Sequence, residues 1–263
     1  MGFESLSPIR YFDGRSSIMI PESIRARLRR VPGFPVARFI YHLMRGVETR
    51  NAALIQLFPP TGLFQPFAST SDDRYPDVFE FLREQIRDAP ETRILSFGCS
   101  TGEEVFSLRR YFPASTLVGI DINRFNIAVC QRRLRRLKDA GMQFLKAGST
   151  TKEASASFDA ILSMAVFRHG KLNLSPPPQV CDQQILFADF ESAVTDFTRC
   201  LKSNGFLVIQ NAMFRFSDTT VSRLYLPVPR EGLCIESPLY DRENRLLPDR
   251  RYPFVIFRKL PAA

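Results

Sequence analysis

The sequence predicts a doubly wound α/β fold, in which helices cover both faces of a mostly parallel sheet. Residues 93–108 have the pattern of a strand, a tight turn and a helix start, and residues 116–122 form a second apolar strand that ends in Asp121. Two further strand patterns follow, at Met142–Lys146 and Phe158–Met164. Strands that alternate with helical patterns are typical of parallel sheets built from βαβ units.

The turn after the first strand has the composition of a ligand-binding loop and reads Gly98-Cys99-Ser100-Thr101-Gly102. Its two glycines have no Cβ, so the backbone can approach a ligand closely, and the following helix offers free N–H groups. The glycine spacing is not that of a dinucleotide loop, and no Gly-Lys-Ser/Thr run indicates a P-loop. Glu103 and Glu104 would repel a pyrophosphate, which favours a ligand that carries a positive charge.

These residues resemble the first motif of the class I S-adenosylmethionine-dependent methyltransferases. The run GCSTGEE is similar to the version in chemotaxis receptor methyltransferases, and the resemblance covers about residues 93–210. It implies a seven-stranded Rossmann-like sheet, S-adenosyl-L-methionine as the cofactor and direct displacement of the methyl group. It also implies cofactor contacts from the turn itself, at Gly98, Cys99, Ser100, Thr101 and Gly102.

The resemblance also suggests which acid holds the ammonium group of the cofactor. The family often has an acid two residues before the first glycine, but this chain has Ser96 at that position. In the chemotaxis-like variant the glutamate after the turn takes this role, which implies Glu103, and no role is predicted for Glu104. The alternative is that both glutamates only complement the helix dipole.

The end of the second strand supplies the predicted ribose ligand. A carboxylate at this position accepts hydrogen bonds from both ribose hydroxyls, and by resemblance that acid is Asp121. The alternative is that Asp121 or Asn123 only caps the following helix. The other predicted cofactor contacts are Ile122 beside Asp121, Gly148 and Ser149 after the third strand, and Ser163 and Met164 at the tip of the fourth.

The segment after the fourth strand is the expected acceptor site, because ligands of such sheets bind outside the carboxyl ends of the strands. His169 lies there and is a candidate general base for a hydroxyl or amine acceptor, with a structural histidine as the alternative. Residues 211–218, which include two phenylalanines and Arg215, are a candidate cover for the acceptor.

The predicted function is methyl transfer to oxygen or nitrogen of a small-molecule acceptor. Two alternatives stay open: a protein carboxylate methyltransferase of the chemotaxis type, and a non-catalytic interaction protein that binds the cofactor. The run MAVFRH after the fourth strand argues against the first, because the chemotaxis enzymes have a pattern like RNVLIY there. The intact glycine and acid positions argue against the second.

Composition limits the partners and the compartment. The net charge is +9, with basic runs at residues 25–30 and 131–138 that suit a solvated helix face, nucleic acid or an anionic surface. No RNA-binding signature accompanies them, so a nucleic-acid partner is not expected. Five cysteines without a CxxC pair indicate reduced thiols in the cytoplasm and no metal site. No apolar run reaches the length of a membrane span.

The chain is expected to have two parts, an N-terminal helical extension at residues 1–90 and the methyltransferase domain at residues 91–263. The extension includes two basic, apolar helices within residues 24–53 and an amphipathic helix at residues 77–87. It is expected to pack on the sheet and to close over the cofactor, with weak contact to an anionic membrane surface as the third interpretation.

Three patterns concern the C-terminal half. The turn Ser203-Asn204-Gly205 predicts a helix end before the fifth strand. Residues 233–247 have the pattern of a hairpin, and residues 252–259 that of a last strand, antiparallel to the fifth.

Overall fold

A computed structural model describes residues 62–65, 72–249 and 251–261 of the chain. Its strands are β1 (Arg93–Phe97), β2 (Thr116–Asp121), β3 (Met142–Lys146), β4 (Phe158–Met164), β5 (Leu201–Gln210), β6 (Tyr225–Val228) and β7 (Ile256–Lys259). Its helices are α1 (Pro76–Gln85), α2 (Glu103–Tyr111), α3 (Arg124–Leu137) and α4 (Phe187–Cys200), with short 3₁₀ helices at Gly170–Leu172, Phe216–Asp218 and Thr220–Leu224.

The seven strands form one sheet with the order β3-β2-β1-β4-β5-β7-β6. Strands β1 to β5 pair in parallel, whereas β7 is antiparallel to both β5 and β6. The strand order reverses between β1 and β4, and this switch point is where open α/β sheets bind their ligands. The prediction of a doubly wound, seven-stranded α/β fold is confirmed.

Local signals in the sequence position the helices that face this edge. Helix α2 begins after Gly102, whose φ of 93° is left-handed, and its acidic first turn and basic last turn complement the helix dipole. Helix α3 begins at an N-cap, where the Asn123 side chain accepts a hydrogen bond from the Phe125 N–H at 2.9 Å. Asn123, which the sequence analysis named as an alternative cap, is therefore the N-cap of α3.

One sequence prediction about β5 is wrong. Helix α4 ends at Cys200, and β5 begins at once, because Leu201 already pairs with Phe158 of β4. Pairing resumes between Phe206 and Ala160, so the Ser203-Asn204-Gly205 run is a bulge inside the strand and not the end of the helix. A Cβ on Gly205 would lie 2.9 Å from the Asp159 carbonyl oxygen, which explains the glycine in this bulge.

Two further segments differ in extent from their predictions. The region predicted as a hairpin, residues 233–247, contains one isolated bridge between Tyr240 and Leu246 and no regular strand. The last strand covers Ile256–Lys259 only, although Tyr252 forms an isolated bridge with Ile235. The sequence analysis did not identify β6 separately.

The N-terminal extension is described only in part. The predicted amphipathic helix is present as α1, whereas the two helices predicted within residues 24–53 lie outside the described residues. The division into residues 1–90 and 91–263 stays a prediction. No helix among the described residues is long and apolar enough to cross a membrane.

Phe167 anchors the segment after β4 in the core. Its ring is 1% exposed, and its centroid lies 4.8 Å from Phe64, 4.8 Å from Phe190, 6.0 Å from Phe197 and 6.1 Å from Phe97. Offset and edge-to-face aromatic pairs of this kind add to the free energy gained by burial. The aromatic cluster therefore holds the chain in place where it leaves the fourth strand.

We expect Phe167→Ala to lower the free energy of unfolding by about 3–5 kcal/mol, because it leaves a cavity among four rings. Urea denaturation monitored by circular dichroism measures this change. The matched control is Leu226→Ala, whose side chain is 55% exposed and should change stability by less than about 0.5 kcal/mol. Equal effects of the two substitutions would contradict the anchoring role of Phe167.

Candidate functional site

The turn between β1 and α2 is closely packed and has an unusual backbone. Gly98, Ser100 and Gly102 have positive φ angles of 73°, 51° and 93°. A Cβ on Gly98 would lie 2.5 Å from Val166 Cγ2, and one on Gly102 would lie 2.9 Å from Phe106 Cε2. Side chains are therefore excluded from both ends of the turn, and its backbone lies directly at the carboxyl edge of the sheet.

The Asp121 carboxylate joins this turn to the start of α3. Oδ2 accepts a hydrogen bond from the Ser100 N–H at 2.8 Å, and Oδ1 accepts bonds from the Asn123 N–H at 2.7 Å and Asn126 Nδ2 at 3.3 Å. Burial raises the pKa of Asp121, and these three hydrogen bonds act in the opposite direction. The residue thus has a structural role at the position where the sequence predicts the ribose contact, and the ribose role stays a prediction.

The two glutamates at the start of α2 have different surroundings. The Glu103 carboxylate accepts a hydrogen bond from the Thr101 hydroxyl at 2.7 Å. Glu104 Oε1 is buried and has no hydrogen-bond partner among the described residues, and the same is true of Ser96 Oγ. Burial raises the pKa of Glu104 from 4.5 to about 7, although the nearby Ser96 hydroxyl and the positive charge of Arg74 lower it in part.

Sequence reasoning predicted no role for Glu104, which differs from its neighbour in having a buried carboxylate oxygen without a hydrogen-bond partner among the described residues. A carboxylate oxygen in this situation costs free energy unless a cation or donor arrives. Its position beside Ser96, which stands where the family often has its acid, makes it a second candidate for the ammonium contact. The two adjacent glutamates in GCSTGEE were the available signal.

The remaining predicted contacts lie at the ends of neighbouring strands. A Cβ on Gly148 would be 2.9 Å from Ile122 Cδ1, so the segments after β2 and β3 touch. Ser149 Oγ lies 2.9 Å from the Thr151 hydroxyl at an exposed position. At the tip of β4, Ser163 is buried, and its hydroxyl has no hydrogen-bond partner in the described part of the chain. The next residue of β4, Met164, is also buried.

Cys99 has the properties of a small packing residue. Its side chain is 3% exposed, and a hydrogen bond with Cys130 together with burial raises the pKa of the Cys99 thiol. A protonated thiol is a poor nucleophile, so the arrangement does not support covalent chemistry at this position.

His169, the candidate general base, has a structural contact on one ring nitrogen. Nδ1 accepts the Lys171 N–H at 3.3 Å, and the backbone N–H of His169 donates to Met213 Sδ at 3.5 Å. Burial, and then the charge of Lys171, lowers the pKa of His169, which favours the neutral imidazole. A neutral ring is the form that a base needs, and the catalytic role stays a prediction.

The loop at residues 211–218 is packed into the protein more deeply than a mobile cover would be. Ala212, Met213, Phe214 and Phe216 are buried. Its first residue, Asn211, donates a hydrogen bond from Nδ2 to the Tyr75 hydroxyl at 3.2 Å. This contact brings Tyr75, immediately before α1, to the ends of β4 and β5, which sequence patterns did not indicate because the two residues are far apart in the chain.

A family model described as a methyltransferase domain matches residues 88–228, slightly more than half of the chain. The match includes the turn, Asp121 and the segment after β4. No curated protein sequence matches this chain.

Solved structures resemble the chain only distantly. Geranyl diphosphate C-methyltransferase from Streptomyces coelicolor A3(2) is 18% identical with a TM-score of 0.38, over 51% of this chain and 44% of that protein. The YcgJ protein from Bacillus subtilis is 18% identical with a TM-score of 0.39, over 57% and 58%. Phosphoethanolamine N-methyltransferase 2 from Haemonchus contortus is 19% identical with a TM-score of 0.41, over 65% and 35%. The chain thus spans about half the length of the first two, and such low scores carry no information on its acceptor.

We expect the pKa of Glu104 to appear as a pH dependence of stability. Its folded-state pKa of about 7 lies above its ordinary value of 4.5, so the folded protein keeps a proton that the unfolded chain loses. The free energy of unfolding should therefore decrease as the pH rises from about 4.5 to 7 and level off above that range. Urea denaturation at pH 5.5 and pH 8 measures this difference.

Glu104→Gln should reduce the difference in stability between the two pH values and make the protein more stable at pH 8. Glu103→Gln is the matched control, since it changes the same charge one residue away and should leave the difference in place. An unchanged pH dependence in Glu104→Gln would contradict the assignment.

Proposed function

Since this chain belongs to the methyltransferase-domain family, we propose that it methylates an oxygen or nitrogen atom of a small-molecule acceptor. It is an S-adenosylmethionine-dependent methyltransferase, and the acceptor class is the proposal. The observation that carries it is the combination of a closely packed turn with a buried carboxylate oxygen, Glu104 Oε1, that has no hydrogen-bond partner among the described residues, at the switch point of the sheet. Such a site suits a cationic cofactor without phosphate groups.

Each part of the cofactor has a proposed set of contacts. The turn at residues 98–102 would contact it through the backbone, which packs closely at the edge of the sheet, with Val166 against Gly98 and Phe106 against Gly102. Asp121 would hold the ribose at the end of β2. Ile122, Gly148 and Ser149 would border the adenine, and Ser163 and Met164 would lie towards the methyl group.

For the ammonium group we favour Glu104 over Glu103. The Glu103 carboxylate already accepts the Thr101 hydroxyl, whereas Glu104 has a buried oxygen without a partner among the described residues. A cation bound there would remove the cost of burying the ionised carboxylate and would lower its pKa. Glu103 remains the assignment that the resemblance implies, so the two glutamates form a direct test.

S-adenosylmethionine, when bound, supplies a methyl group that is already activated by its sulfonium. The protein therefore has to bind both partners, align them and exclude water. Ser163 Oγ and Gln210 Oε1 at the ends of β4 and β5 are buried, without hydrogen-bond partners in the described residues, and can orient a small polar acceptor. His169 is the candidate that removes a proton from the attacked atom. Location in the cytoplasm stays a sequence-based prediction.

The first experiment is calorimetric titration with S-adenosylmethionine and S-adenosylhomocysteine at pH 6.5, with NADH as a control. If Glu104 holds the ammonium group, binding forces it to ionise, so roughly half to one proton is released. Repeating the titration in buffers with different ionisation enthalpies measures this proton. Glu104→Gln should abolish the release and weaken binding by about 1.5–3 kcal/mol, the range for hydrogen bonds to charged groups.

Glu103→Gln should retain both the proton release and most of the affinity. If Glu103→Gln loses affinity and Glu104→Gln retains it, the ammonium contact belongs to Glu103. Binding without methyl transfer to any acceptor in a screen of hydroxyl and amine compounds would favour the non-catalytic alternative.

We expect Asp121→Ala to weaken S-adenosylhomocysteine binding by about 1–3 kcal/mol if its carboxylate holds the ribose. Because this carboxylate also supports the turn, the control varies the ligand instead of the protein. The natural protein should bind a 2′-deoxy analogue of S-adenosylhomocysteine more weakly than S-adenosylhomocysteine itself. The Asp121→Ala variant should bind the two compounds with the same affinity. An equal penalty for the analogue in both proteins would show that Asp121 acts only on the fold.

A further inference from the structure

Arg168 is a half-buried cation whose guanidinium forms no ion pair with an acidic residue in the described part of the chain. Its Nε is buried and forms no hydrogen bond with the described residues. Among the described residues, Arg74, which is also a cation, and the phenol of Tyr75 are close enough to act on its charge, and burial followed by the charge of Arg74 lowers the pKa of Arg168. A charge in this situation is costly, because Nε is shielded from water and gains neither a hydrogen bond nor an acidic partner from the described residues.

Other half-buried arginines of the described chain are paired. Arg109 Nε lies 2.9 Å from Asp139 Oδ2, and Arg215 Nε lies 3.1 Å from Asp218 Oδ2. Arg93 Nη2 lies 3.9 Å from Glu153 Oε2. Against this background, the missing acid beside Arg168 indicates that its partner is not part of the described protein.

The position of Arg168 indicates which part of the site the missing partner would occupy. Two residues earlier, Val166 packs against Gly98 in the cofactor turn, since a Cβ there would approach Val166 Cγ2 to 2.5 Å. The Tyr75 hydroxyl accepts a hydrogen bond from Asn211 just after β5, which leaves its own hydrogen to donate. The guanidinium and the phenol therefore lie at the carboxyl ends of β4 and β5, where the acceptor and the methionine tail of the cofactor would meet.

We propose that Arg168 and the Tyr75 hydroxyl form a binding subsite for an oxyanion, a carboxylate or a phosphate, at this edge of the sheet. A guanidinium presents several N–H donors in the geometry that such groups accept, and a phenol adds one more. The anion belongs either to the methyl acceptor or to the amino-acid tail of the cofactor. These two possible sources of the anion follow from the proposed function, whereas the oxyanion site itself does not depend on it.

The experiment compares the natural protein with Arg168→Gln, and Arg132→Gln on the exposed face of α3 is the matched control for loss of charge. Thermal unfolding is recorded with inorganic phosphate or succinate at constant ionic strength, set with chloride. We expect either anion to raise the melting temperature of the natural protein and of Arg132→Gln, but not that of Arg168→Gln. Without added anions, Arg168→Gln should be at least as stable as the natural protein, because it removes an unpaired charge.

A second arm identifies the source of the anion by calorimetry. S-adenosylhomocysteine carries a carboxylate, whereas 5′-methylthioadenosine lacks the amino-acid tail. If the anion is the cofactor tail, Arg168→Gln weakens binding of the first at least tenfold and leaves the second unchanged. If it belongs to the acceptor, both ligands bind Arg168→Gln normally, and phosphate or succinate still binds the natural protein saturated with S-adenosylhomocysteine.

The proposal is overturned if the anions stabilise Arg168→Gln as much as the natural protein and both adenosine ligands bind it normally. It is also overturned if neither anion affects the natural protein and its affinity for S-adenosylhomocysteine is independent of Arg168. Arg168→Lys, which keeps the charge but loses the planar group, should give intermediate affinities and remains available if the glutamine variant does not fold. Failure of the natural protein to bind S-adenosylhomocysteine would count against the proposed function. The anion titrations alone would then decide whether the oxyanion subsite exists.

Discussion

The carboxylate of Asp121 is the contact on which the cofactor edge of the sheet depends. It binds the Ser100 N–H on one side and the Asn123 N–H on the other, so a single side chain connects the turn after β1 with the start of α3. The turn needs this support, because Ser100 has a φ of 51°, which is costly for a residue other than glycine. A ribose bound at Asp121 would share the carboxylate with these N–H groups, and binding and folding would be coupled there.

The same edge carries two charges that the described residues do not neutralise with an ion pair. Glu104 Oε1 and Arg168 Nε are both shielded from water, and the phenol of Tyr75 is close enough to both residues for their charges to affect its pKa. Burying a charge without a partner destabilises a protein, and an ion pair would offset that cost only with good geometry and further hydrogen bonds. Their separate positions suit ligands that carry a cation near Glu104 and an oxyanion near Arg168. Binding sites are often destabilising in this way when no ligand is bound.

The sequence was sufficient for the parts of the fold that depend on local patterns. The bounds of β3 and β4 matched the predicted Met142–Lys146 and Phe158–Met164, because each apolar run is flanked by polar turns. The bulge in β5 was misinterpreted, since Ser203-Asn204-Gly205 is also typical of a helix end, and only pairing with β4 distinguishes the two. Burial is likewise a tertiary property, so no local pattern separates Glu104 from Glu103.

The acceptor end of the site was the least predictable part because neighbouring residues of one segment serve different purposes. Phe167 and His169 are buried, with Phe167 fixed by four rings and His169 by contacts with Lys171 and Met213. Arg168 between them is only half-buried and reaches the polar edge near Tyr75. A sequence search for a base selects the histidine by its chemistry, whereas the packing assigns it a capping contact and leaves the arginine unpaired. The chemistry of the ligands at this edge is therefore better inferred from the charge that the described residues leave unpaired than from the residue type most often used in catalysis.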